Sequence, residues 1–147
     1  IQKLLLNMKT IIFIQKDYIE KSEIAECYLN NLSLRLKEKF ISIPGLINSF
    51  NIFDFKKISS LNQIPILCKD RDRLVKFLIS KNIDIAPQHI RNLTNLEIYS
   101  KYVDTICNKA EKVSQELLLL PCYPGFSKES AKRISYLINQ FYTAHYR

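Results

Sequence analysis

His89, Arg91 and Asn92 lie in a four-residue window at the end of the stretch Asn-Ile-Asp-Ile-Ala-Pro-Gln-His-Ile-Arg-Asn, residues 82–92. An imidazole, a guanidinium and a carboxamide so close together make a donor-rich set suited to a phosphate or to sugar hydroxyls. The chain holds only two histidines, and His89 follows Pro87. A loop at such a point presents side chains to solvent rather than burying them. Spacing by two puts His89 and Arg91 on one side of an extended chain. A second reading of the same spacing stands beside this one: His89 bonded to a local carbonyl and Arg91 paired with a surface acid. His145, four residues after Phe141, falls near the end of a helix, where the dipole favours a histidine, and receives no functional role.

Other chemistries are excluded by composition and spacing. Two glycines, Gly45 and Gly125, leave no room for a Walker A loop or a GxGxxG fingerprint. No GxSxG or HExxH motif occurs. Asp70, Arg71, Asp72 and Arg73 alternate in charge and read as a solvated helix start capped by Asp70, rather than as acid–base machinery. Cys27, Cys68, Cys107 and Cys122 lie 41, 39 and 15 residues apart, which matches no metal-ligand spacing and fits reduced, buried thiols in a cytoplasmic protein. The net charge of +8 arises from 22 Lys and Arg against 14 Asp and Glu. These cations are dispersed, as at Lys56–Lys57 and Lys132–Arg133, so they describe a solvated surface whose field also favours a nucleotide or sugar phosphate. No nucleic-acid partner is expected from so scattered a pattern. No apolar run approaches the length of a membrane span, and Ile11–Ile14 is too short for the apolar region of a signal peptide.

The elements that must position His89 and its neighbours follow from periodicity. Tyr18, Ala25, Leu29, Leu32, Leu36 and Phe40 form one apolar stripe and predict a helix over 17–40. Ile43-Pro44-Gly45 breaks it. Two strand-like segments follow at 46–53 and 58–68, where Pro65 implies an edge strand or a bulge. A helix is expected from Arg71, with Leu74, Val75, Phe77 and Leu78 inward, ending at Lys81-Asn82 because Asn tolerates the left-handed conformation. Ile83–Ala86 reads as a brief strand. Helical signal covers about 95–118, with a break near Val103-Asp104, and Pro121 ends it. Ser127 caps a last helix with Ala131, Ile134, Leu137, Ile138 and Phe141 inward. The order predicts an α/β fold of the two-layer α+β kind, a small, mainly antiparallel sheet covered by helices.

Three segments in order, Ile-Pro-Gly-Leu (43–46), 71–92 and 110–130, resemble the C-terminal region of the DegT/DnrJ/StrS family of pyridoxal-phosphate-dependent sugar aminotransferases. In that family an Arg-Asp pair opens a helix, a histidine-bearing loop follows, and Leu-Pro and Pro-Gly turns precede the last helix. Residues 18–32 are similar to the long helix leading into the region, with Lys21 where the family prefers arginine. One branch carries His-x-Arg-Asn-Asp in the loop, which His89, Arg91 and Asn92 match. Leu93 replaces the acid and Asn82 the usual glycine.

The resemblance implies that 17–147 form an aminotransferase-like C-terminal small domain, with 1–16 unassigned and the cofactor domain absent. It implies a parent enzyme that moves an amino group to a keto-sugar nucleotide in cell-surface polysaccharide or amino-sugar biosynthesis, as a cytoplasmic homodimer. Pyridoxal phosphate would serve that parent without being bound covalently by this chain, since no lysine stands in the family's Schiff-base context. His89, Arg91 and Asn92 would then be substrate-binding residues facing the nucleotide sugar. A standalone or degenerate domain that binds a sugar nucleotide or a subunit is the alternative expectation.

Overall fold

The computed structural model describes residues 2–33, 41–42, 62–85, 92–102 and 107–146. Among the described residues the sheet has three antiparallel strands in the order β1-β2-β3, namely β1 (Ile41–Ser42), β2 (Gln63–Cys68) and β3 (Leu117–Pro121). Ile64 stands opposite Leu120 and Ile66 opposite Leu118. Directly opposed residues share a face, so these four side chains, all buried, form one apolar surface.

The helices complete the core over that surface. They are α1 (Gln2–Asn31), α2 (Arg71–Ser80), α3 (Asn108–Glu116) and α4 (Lys128–His145), with 3₁₀ turns at Leu93–Asn95 and Glu97–Tyr102. One buried cluster joins Ala25, Tyr28 and Leu29 of α1, Leu74 and Leu78 of α2, and Ile134, Ile138 and Phe141 of α4 to the strands. The expected inward face of α4 is buried throughout, and Ser127 Oγ accepts the Ser130 amide at 3.0 Å as its N-cap. α2 runs over the expected residues and closes as a Schellman motif: Ile83 N–H donates to Leu78 O, Asn82 N–H donates to Ile79 O, and Asn82 has φ 59°. Ile83 and Phe77 pack on the core beside it.

Several local expectations differ from what folds. α1 begins at Gln2 and ends at Asn31, nine residues before Phe40. Its end is set by a tertiary contact, because Asn139 Nδ2 donates to Asn31 O at 2.7 Å while Asn139 Oδ1 accepts from Ser33 N–H. Tyr18 is exposed rather than inward, and Leu36 and Phe40 lie outside the described residues. Leu117–Pro121 is a strand and not a helix end, since the apolar run finds a ladder along β2. Pro65 sits in the middle strand; among the described residues β1 pairs Leu67 and Cys68. Ile83–Ile85 have no ladder partner among the described residues, although Ile85 is buried; Ala86 and the segment 46–53 lie outside the described residues. Asp70 makes no side-chain cap bond; it adopts φ 54° and its carbonyl accepts from Arg73 and Leu74. Cys27, Cys68 and Cys122 are buried as expected, whereas Cys107 is exposed.

Candidate functional site

His89 and Arg91 lie outside the described residues, and Asn92 is the first residue placed after them. Asn92 caps the 3₁₀ turn Leu93–Asn95: its Oδ1 accepts from the Thr94 amide at 3.3 Å and from the Thr94 hydroxyl at 2.8 Å. Its Nδ2 donates to Glu111 Oε2 at 3.2 Å. Glu111 also accepts from Asn95 and from Gln115. The carboxylate in the first turn of α3 thereby binds the turn after the His89–Arg91 stretch.

One turn further along α3, Gln115 and Glu116 line a cavity of about 500 Å³ together with Lys69, Asp70, Arg71, Asp72, Arg73 and Tyr146. The expectation of a solvated Asp-Arg-Asp-Arg helix start fails at Arg71, whose side chain is 12% exposed. Its guanidinium donates to Ser114 O at 2.6 Å and to Asp72 Oδ1 at 2.9 Å, so it ties α2 to the end of α3. Arg73 and Asp70 make a looser, exposed pair at 3.8 Å. The cavity therefore presents both charge signs, in contrast to the all-donor set read at His89 and Arg91.

Several other reactive groups are committed to the fold, whereas the Cys107 thiol is exposed. Burial pushes the Cys68 thiol up to about 12 and the Cys122 thiol up to about 11, which leaves both protonated and inert near neutral pH. Burial also raises the Tyr142 hydroxyl, which donates to Lys69 O at 2.6 Å. His145 Nδ1 lies 2.8 Å from Phe141 O and its ring stacks on Phe141 at 4.6 Å. A bonded Glu23 carboxylate holds the Lys128 ammonium above its ordinary range, with Nζ to Oε2 at 2.8 Å.

A pyridoxal cofactor needs a lysine for its aldehyde and an acid facing the pyridine nitrogen. No lysine whose side chain is described is buried, and Lys16, Lys112 and Lys128 stand in surface ion pairs. Among the described residues there is also no group of His, Cys, Asp and Glu arranged to hold a metal ion, and no helix long and apolar enough to cross a membrane. The described side chains thus do not fit the cofactor. Glu111, Gln115 and the half-buried Arg71 are what the sequence reading missed; the one available signal was Glu111 and Gln115 spaced for the same helix face.

Comparison with known proteins brings these features together. Residues 14–139 match the DegT/DnrJ/EryC1/StrS aminotransferase family. No curated protein matches the chain. In fold it is similar to a DegT DnrJ EryC1 StrS aminotransferase from Brucella abortus, with TM-score 0.64 and 19% identity over 91% of this chain and 33% of that one. It is similar to S. venezuelae DesV in complex with a ketimine intermediate, with TM-score 0.66 and 16% identity over 89% and 33%. GDP-4-keto-6-deoxymannose-3-dehydratase with a trapped PLP-glutamate geminal diamine gives TM-score 0.61 and 16% identity over 88% and 33%. The chain spans about a third of the length of each of these structures. With the match running over residues 14–139, the chain belongs to the DegT/DnrJ/EryC1/StrS aminotransferase family.

Proposed function

We propose that the chain is the C-terminal portion of a pyridoxal-phosphate-dependent aminotransferase that moves an amino group from an amino acid, usually glutamate, to a keto-sugar nucleotide. The family match over 14–139 carries this reading. The fold, shared with about a third of each matched structure, supports it. Residues 17–147 would be the small domain of a cytoplasmic homodimer working in cell-surface polysaccharide or amino-sugar biosynthesis.

In the parent enzyme the cofactor supplies an electron sink. This chain supplies binding and orientation. His89 and Arg91 donate to the diphosphate and hydroxyls of the nucleotide sugar, and Asn92 holds the chain beside them. The +8 surface raises the local concentration of that anion. The test is to read the DNA before Ile1 and to express any longer frame with glutamate and a keto-sugar nucleotide. A lysine-bearing cofactor domain in frame, with amino sugar and 2-oxoglutarate formed in equal amounts, is the expected result. A frame without such a domain, or sugar binding without transfer, would refute it.

A non-catalytic sugar-nucleotide-binding or subunit-interaction domain is the second reading. It is favoured by one observation: Leu93, Ile98, Tyr99 and Tyr102 are exposed together in the segment after Asn92. Exposed apolar side chains gathered in one segment fit an interaction surface. Dimerisation of the purified chain, with no transfer by the longer frame, would select it.

A further inference from the structure

The carboxylate of Glu111 receives three side-chain amides. Asn92 and Asn95 donate to Oε2 and Gln115 donates to Oε1. Asn92 is 9% exposed, and its own oxygen is taken by the amide and hydroxyl of Thr94. Its nitrogen also lies 3.4 Å from Asn95 Oδ1. Both polar atoms of this carboxamide are therefore engaged inside the chain. A carboxylate accepts at about four lone-pair sites and donates at none. A glutamine at 111 would turn an N–H towards one of the three donors. The bonds are charge-assisted, hence roughly twice as strong as neutral ones. No residue of α3 is buried, so these bonds and those of Arg71 orient the helix where a core contact would otherwise do it.

We infer that Glu111 is a positioning residue: acting through Asn92, it fixes the chain at the point immediately after Arg91. The role in ligand binding rests on the proposed function; the clamp itself does not. Loss of the carboxylate leaves the buried Asn92 amide without its acceptor, while the exposed Asn95 and Gln115 amides turn to water, and the turn over 92–95 loosens while the sheet does not.

The test uses the full 147-residue chain, with residue-by-residue amide hydrogen exchange and titration with uridine diphosphate as the probe. Glu111→Ala is expected to speed exchange at Thr94, Asn95 and Leu96 by about tenfold, the scale of one lost charged hydrogen bond. Amides of β2, β3 and α4 should keep their protection, and the affinity for the probe should fall by a similar factor. The reciprocal double variant Asn92→Asp, Glu111→Gln again pairs one carboxylate with one carboxamide between 92 and 111 but turns the new carboxamide's N–H towards Asn95, so it is expected to recover part of both readouts relative to Glu111→Ala. Unchanged exchange at 94–96, equal loss of protection throughout the core, or a double variant no better than Glu111→Ala would overturn the clamp. Faster exchange with unaltered affinity would overturn its role in binding. A wild-type chain that ignores the probe would count against the proposed contacts of His89 and Arg91, while exchange would still decide the clamp.

Discussion

In the sheet and the helices over it, Ile66, Cys68, Leu74, Leu118, Leu120, Ile138 and Tyr142 have no exposed surface. Across the described residues of 92–116 the only buried one is Asn92, a polar residue. The first region is held by apolar area, which is non-directional and roughly proportional to the surface removed from water. The second is held by directed bonds that converge on Glu111 and radiate from Arg71. A region held by area tolerates shape-conserving exchange and fails as a unit. One held by a few bonds can be released alone.

Truncation within the core should produce the largest effect. Leu120→Ala or Ile138→Ala removes a fully buried side chain and is expected to cost about 2 to 5 kcal/mol in denaturant unfolding. A loss under about 1 kcal/mol would show that the site collapses to fill the space and that the two regions differ less than their burial indicates.

Alkaline pH should separate the regions next. Cys68 and Cys122 have folded values near 12 and 11 against an ordinary 9.0, because burial disfavours the thiolate. The native state therefore keeps protons that the unfolded chain gives up, so their stabilisation is intact below pH 9.0 and declines up to about 12. For Cys68 the loss is on the order of 2 kcal/mol by about pH 11. Thermal melts across that range should show the fall, and Cys68→Ala should flatten it. A melt independent of pH above 9 would refute the assignment.

Helix ends come third, and they bear on how much the sequence disclosed. Ser127→Ala removes the bond to the Ser130 amide and should cost about 1 kcal/mol. Asn82→Ala places a Cβ-bearing residue without Asn's local bonding at φ 59° and should cost about 1 to 2 kcal/mol, while Asn82→Gly should not. Both ends were legible because the signal is local: a hydroxyl before a run of inward positions, an Asn after the last one. The inward face of α4 was legible for the same reason. Leu117–Leu120 was not, since an unbroken apolar run has no period and its strand identity comes from β2, some fifty residues earlier. The end of α1 was hidden because Asn139, 108 residues on from Asn31, sets it. At the candidate site, residue type showed that Asn92 belonged to a polar cluster. That its carboxamide serves Thr94 and Glu111 depends on an approach across 19 residues, which no spacing rule encodes.

The smallest expected change completes the contrast. Ile98 is 72% exposed and Tyr102 70%, in a 3₁₀ turn with no place in the buried cluster. Replacing either by serine removes little contact that folding creates, so unfolding free energy should move by no more than about 0.5 kcal/mol. Tyr102 carries Lys101 Nζ 4.9 Å from its ring centroid, an exposed contact that offers well under a typical core side chain's contribution. Were Ile98→Ser to cost as much as Leu120→Ala, the segment after Asn92 would belong to the same cooperative core as the sheet. The separation between a body held by area and a rim held by bonds would then be lost. Equal stability with altered self-association would instead locate in these side chains the surface that another protein covers.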